Sequence, residues 1–173
     1  GDWSSDVCSS DLCQIQMAWM VRAGGPGTQN KEWKQVMRYS VQNIRNVCLL
    51  GHGGSGKTAL AESLLYMTGA IDRMGKAADG NTVCDYDPEE IKRQISISLA
   101  VAPLEFKGCK INVLDTPGSF DFSGEVMEAL RAADAAIIVC SAKDGLSVGL
   151  EKAWKYCEER NMPRFIYISK IDE

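Results

Sequence analysis

The sequence has no excess of positive charge, no apolar run long enough to cross a bilayer, and no closely spaced cysteine pair. Lys and Arg number 19 against 23 Asp and Glu, a formal net charge of −4. That balance removes the basic footprint on which sequence-independent nucleic-acid binding rests. Direct DNA binding is not expected, and a role on RNA would need a local patch or further domains. A spanning helix needs roughly 20 apolar residues. The stretch Leu12 to Val21 is shorter and too polar, and it lacks the basic start of a signal peptide. The seven cysteines (Cys8, Cys13, Cys48, Cys84, Cys109, Cys140, Cys157) are odd in number and show no CxxC spacing. Cys48, Cys109 and Cys140 lie in or beside apolar runs, where cysteine acts as a small hydrophobe. Buried, reduced thiols in a cytoplasmic protein are expected, rather than disulfides or metal ligands. Histidine is nearly absent: His52 stands alone.

What is present suffices for one compact domain. The 173 residues are 45% hydrophobic, enough for a packed core. The front differs from the rest. Residues 2–12, DWSSDVCSSDL, are rich in serine and aspartate and have no apolar period. They resemble the translation of an adapter oligonucleotide used in sequencing libraries, and carry no fold information. Residues 23–36, AGGPGTQNKEWKQV, have a loop composition. Residues 1–36 are therefore expected to be a non-native or disordered leader, with the native frame opening at Met37 and a partial domain over 37–173.

After residue 40 the pattern alternates. Ile44–Leu50 is a short apolar run before glycine, a buried strand. Lys57–Met67 reads as a helix with Leu60, Leu64, Leu65 and Met67 on one face, stopped at Gly69. Asp72–Arg93 is polar and broken by glycines and Pro88, so a long loop is expected, of the kind that is functional or mobile. Strands are predicted over Ile95–Phe106, Ile111–Leu114, Ala135–Cys140 and Arg164–Ser169, with a turn at Lys107-Gly108. Helices are predicted over Glu125–Ala133 and Val148–Arg160, the latter with Leu150, Trp154 and Cys157 on one side. This alternation implies an α/β fold, a mostly parallel sheet with helices on both faces, incomplete at its C-terminus. Ligands of such sheets bind at the carboxyl ends of the strands.

Three motifs fall at those ends. Gly51-His52-Gly53-Gly54-Ser55-Gly56-Lys57-Thr58 fits the phosphate loop G-x-x-x-x-G-K-[ST], with a strand before it and a helix after it. Its glycines let successive N–H groups face a phosphate. Lys57 adds positive charge, the helix start adds its dipole, and the Thr58 hydroxyl can bind Mg²⁺. His52, second in the loop and among backbone neighbours, reads as structural rather than as a base. Asp115-Thr116-Pro117-Gly118 follows the strand INVL. The carboxylate can hold Mg²⁺ through water, and the Gly118 N–H can meet a terminal phosphate, whose loss would release the segment. Ser169-Lys170-Ile171-Asp172 follows the last strand and is close to N-K-x-D, in which the acid accepts two hydrogen bonds from the guanine edge and the lysine packs over the base. Asp172 is the residue that argues for GTP over ATP.

These signals, in this order, resemble the translational GTPases from about Tyr39 onward. GHGGSGKT, DGNTVCDYDPEE with KRQISIS, and DTPGSFDFSGEV look most like elongation factor G and elongation-factor-G-like proteins, and less like the tetracycline-protection and release-factor GTPases. The resemblance implies that Ser96 takes the place of the threonine completing the Mg²⁺ shell. It implies that Ser119 stands where the family commonly has a water-orienting histidine, that Gly54 stands where the phosphate loop often has Asp, and that Ser169 stands where the base-reading motif has Asn. It further implies a Mg²⁺-dependent GTPase that binds GTP and GDP. Lys57 and the Gly118 N–H would stabilise the charge that develops on in-line attack of water. The parent would act on the ribosome in elongation through domains not contained here, and the next guanine-gripping motif would lie past Glu173. The other readings are a ribosomal-protection-type factor, another P-loop NTPase, or a fragment that does not hydrolyse nucleotide.

Overall fold

The computed structural model describes residues 39–172, which belong to one compact unit, Tyr39–Glu173. The expectations for residues 1–36, for Met37, and for Cys8 and Cys13 lie outside the described residues.

The sheet is built around β1 (Ile44–Leu50). In a strand, alternate side chains point to opposite faces. Here Cys48 and Leu50 enter one core and Leu49 the other. Five strands run in the order β2-β3-β1-β4-β5, with β2 at Ala100–Phe106, β3 at Cys109–Asp115, β4 at Ala135–Ser141 and β5 at Arg164–Ser169. The pairings β1–β3, β1–β4 and β4–β5 are parallel, and β2–β3 is antiparallel. The β2–β3 hairpin turns at Lys107 and Gly108, both at positive φ, as a two-residue turn matched to strand twist requires.

Helices cover both faces. α1 (Lys57–Met67) packs Ala61 and Leu65 against Leu49, Val113, Ala102 and Leu104. On the other face, α3 (Ser123–Ala132) and α4 (Val148–Glu159) pack Ala129, Leu130, Ala153 and Cys157 against Cys48, Leu50, Leu114, Ala136 and Ile138. Among the described residues no helix is long and apolar enough to cross a membrane. The five described cysteines are free; Cys48, Cys84 and Cys157 are buried, and Cys109 and Cys140 only partly so.

The structure differs from the sequence reading in places with identifiable causes. The 72–93 segment is not a featureless loop. It contains a 3₁₀ turn at Ala77–Asp79 and a helix, α2 (Pro88–Arg93). Asp87 and Glu90 form a capping box around Pro88 at the helix start, and α2 ends at Gln94 with φ 54°. The strand expected from Ile95 begins only at Ala100. The Ile97 and Ser98 N–H groups donate to Glu90 Oε1, and the Leu99 N–H donates to Glu125 Oε2, so they are withdrawn from any ladder. On α1, Met67 is exposed and Glu62 is fully buried in its stead. On α4, Trp154 is 41% exposed and carries the Arg164 guanidinium 4.1 Å from its ring centre, while Gly149 and Ala153 face inward.

Candidate functional site

The phosphate-loop segment joins the carboxyl end of β1 to α1, and its backbone needs its glycines. Gly51, Gly54 and Gly56 have φ of 145°, 75° and 93°. A Cβ on Gly51 would run into the Val139 carbonyl of the neighbouring strand. Gly56 caps α1 without a side-chain hydrogen bond to the helix, which leaves the first-turn N–H groups facing the loop. Lys57 is buried, and its Nζ donates to the carbonyls of Gly51 (3.2 Å) and His52 (2.9 Å). Burial lowers its pKa, opposed by the charges of Asp115 and Asp85.

Three hydroxyl and carboxylate groups predicted from separate motifs meet beside it. Thr58 Oγ1 donates to Asp115 Oδ2 at 2.7 Å and lies 3.2 Å from Ser96 Oγ. Asp115 ends β3, and burial pushes its pKa up to about 6 against the pull of Thr58 and Lys57. Its other oxygen, Oδ1, is buried without a hydrogen-bond partner. An orphaned carboxylate oxygen among hydroxyls is a donor set suited to a hard divalent cation such as Mg²⁺.

The sequence reading missed the residues that hold this cluster together. Glu62, one turn after Thr58 on α1, is fully buried. It accepts hydrogen bonds from the N–H groups of Gly75 (2.9 Å) and Val83. Glu90, also buried, accepts from Ile97 and Ser98, and so fixes the backbone that carries Ser96. Asp85 is buried next to them; burial raises its pKa, and a hydrogen bond with Ser96 opposes the rise. The capping box was the one signal in the sequence that pointed to Glu90. Nothing local marks Glu62, which sits in an ordinary helical stretch.

The D-T-P-G segment crosses above the phosphate loop. Thr116 is buried, and its hydroxyl donates to the Leu49 carbonyl of β1. Gly118 lies against the loop so closely that a Cβ would sit 2.5 Å from Gly53 N and 2.6 Å from Lys57 Nζ. Ser119 caps a 3₁₀ turn at Phe120–Phe122: its hydroxyl lies 3.3 Å from Asp121 Oδ2 and accepts from the Asp121 N–H at 3.5 Å. His52 is exposed, with its ring 6.1 Å from that of Phe120.

The fourth part comes from the end of β5. Ser169 Oγ donates to the Ser55 carbonyl at 2.7 Å and stands 3.3 Å from the Cys140 carbonyl, tying the last strand to the phosphate loop. Lys170 follows at φ 54°, and Asp172 is exposed. The fold thus brings Lys57, Thr58, Ser96, Asp115, Gly118 and Ser169 to one end of the sheet, the carboxyl end of the parallel strands.

Comparison with known proteins agrees with this geometry. A family profile described as elongation factor Tu GTP binding domain matches residues 42–173. The elongation factor G-like protein of Mycobacterium tuberculosis (strain CDC 1551 / Oshkosh) is 45% identical over 129 residues, 75% of this chain and 18% of the relative. Elongation factor G 2 of Borreliella burgdorferi is 41% identical over 130 residues, 75% of this chain and 19% of its own. A crystal structure from Thermus thermophilus superposes with a TM-score of 0.70 at 47% identity, covering 72% of this chain and 19% of that one. The chain spans about a fifth of the length of these relatives.

Proposed function

The chain belongs to the elongation factor Tu GTP binding domain family, and on that premise we propose that it binds GTP and hydrolyses it to GDP and phosphate, within a longer parent that acts on the ribosome in translation elongation. The observation that carries this reading is the meeting of the phosphate loop, D-T-P-G and S-K-I-D at one end of the sheet, joined by Thr58–Asp115 and Ser169–Ser55 hydrogen bonds. The cytoplasm, where ribosomes work, is the proposed location.

In this reading the loop N–H groups and Lys57 bind the phosphates. Lys57 now donates to two carbonyls of its own loop, and its ammonium exchanges these for phosphate oxygens. Thr58, Ser96 and Asp115 would hold Mg²⁺, which would supply charge neutralisation at the phosphates. Gly118 presents its N–H to the terminal phosphate. Asp172 accepts from the guanine edge beside Ser169 and Lys170. Hydrolysis is in-line attack of water on the γ-phosphorus: the bond from that phosphorus to the β,γ-bridging oxygen breaks, and the attacking water supplies the oxygen of the released phosphate. The protein's part is positioning and stabilisation of the developing charge.

The test is competition of GTP and ATP against a fluorescent guanine nucleotide on the full-length protein, with and without chelator. GTP is expected to win and the chelator to weaken binding, while Lys57→Ala abolishes it. Equal competition by ATP would overturn the guanine assignment.

A further inference from the structure

One face of α4 is turned toward the site, carrying Gly149, Lys152, Ala153 and Tyr156, a stripe at helical spacing. At its first turn Gly149 rests on the phosphate loop: a Cβ there would stand 2.8 Å from His52 Cα and 2.9 Å from His52 Nδ1. One turn later Lys152 places Nζ 3.9 Å from the centre of the Phe120 ring, a cation–π contact. The same ring lies 6.1 Å from that of His52, tilted by 49°. Phe120 is only two residues past Gly118, which itself presses on Gly53 beside Lys57. The D-T-P-G segment is therefore held at two points. Thr116 is bonded to β1, and Phe120 is caught between α4 and the phosphate loop.

We propose that Lys152 is a positioning residue for nucleotide hydrolysis: by holding Phe120 it sets where Gly118 and Ser119 stand over the phosphate loop. This rests on the GTPase reading above. Among the described residues no carboxylate forms an ion pair with the exposed Lys152, and its ammonium lies over the Phe120 ring. The contact also links the segment that responds to the terminal phosphate with a helix on the far side of the sheet from α1. Release of Phe120 removes one restraint between Thr116 and α3, and Gly118 and Ser119 then sample more positions. Such loss of alignment lowers the rate of a reaction that depends on positioning without removing any group that binds the nucleotide.

The experiment is single-turnover GTP hydrolysis by the full-length protein, with nucleotide affinity measured separately. Lys152→Met is expected to slow hydrolysis about two- to fivefold, the scale a partly exposed cation–π contact supports, at unchanged affinity. Lys152→Arg keeps a cation over the ring and restores the rate. Phe120→Leu slows hydrolysis to a similar degree, and adding Lys152→Met to it costs nothing more, because both changes break one contact. An unaltered rate in Lys152→Met, equal losses of rate and affinity, or additive losses in the double variant would overturn the proposal. A wild-type protein that binds GTP but never hydrolyses it would overturn the GTPase reading and this role with it. A hydrolysing wild type with an indifferent Lys152 removes the role alone.

Discussion

Ser119 and Asp115 carry opposite lessons about single side chains. The Ser119 hydroxyl is engaged with Asp121 as the cap of a short turn, so it is aimed along its own segment rather than toward Lys57. A histidine at this position reaches farther and can orient water. Ser119→His in the full-length protein is expected to raise single-turnover hydrolysis on ribosomes by at least roughly tenfold, toward the lower end of what positioned acid–base groups supply. No increase at unchanged nucleotide affinity would show that another group handles the water. Asp115 is governed by burial. Its pKa in the fold is about 6, above its ordinary 3.8, so the folded state retains a proton that the unfolded chain has lost. Stability contributed by this group therefore falls as pH rises from about 4 to about 6 and is level above that, by up to about 3 kcal/mol. At the proposed Mg²⁺ site the carboxylate would be the ligand, so metal-dependent nucleotide affinity is expected to move the other way and weaken below about pH 6. Denaturant unfolding without Mg²⁺ across this range checks the first statement. The wild-type minus Asp115→Asn difference in stability should fall with pH across this window, and a difference that rises through it would refute the statement.

Between residue and domain stand the elements, and here α1 does more than open with the phosphate loop. Thr58 and Glu62 are four residues apart on one helix face. Thr58 meets Asp115 and Ser96, while Glu62 gathers the backbone of Gly75 and Val83. The loop that brings Ser96 to Thr58 is thus tied to the same helix that carries Thr58, and α2 adds a second tie through Glu90. Glu62→Ala would leave the buried Gly75 N–H unpaired, at about 1–3 kcal/mol, and the part-buried Val83 N–H unpaired at a smaller cost because water can reach it. Hydrogen exchange at Gly75, Val83 and Ser96–Ser98 is expected to quicken more than exchange in β1 or β4. Uniform acceleration across the sheet would mean that Glu62 supports the core in general and not this loop.

For the whole molecule, much was decided by local pattern. The phosphate loop, the alternation of strands and helices, and the positions of Asp115 and Asp172 after strands could be read directly, because glycine spacing and apolar runs reflect backbone geometry over a few residues. The hairpin at Lys107-Gly108 belongs with them. From these the parallel sheet, and a ligand site at its carboxyl end, follow. The sequence could not show which loop groups would be taken into the interior. The strand expected from Ile95 shrank to Ala100 because Glu90 and Glu125, remote in sequence or on another element, captured its N–H groups. Glu62 became a core residue, and Trp154 stayed at the surface under Arg164, for the same reason: burial is a property of the packed chain. Chain chemistry alone thus pointed to a phosphate-binding loop and to the glycines that shape it. Tertiary packing decided which oxygens gather beside Lys57, and that α4 reaches the site through Phe120, because those contacts join residues 32 to 57 positions apart whose spacing carries no periodic signal.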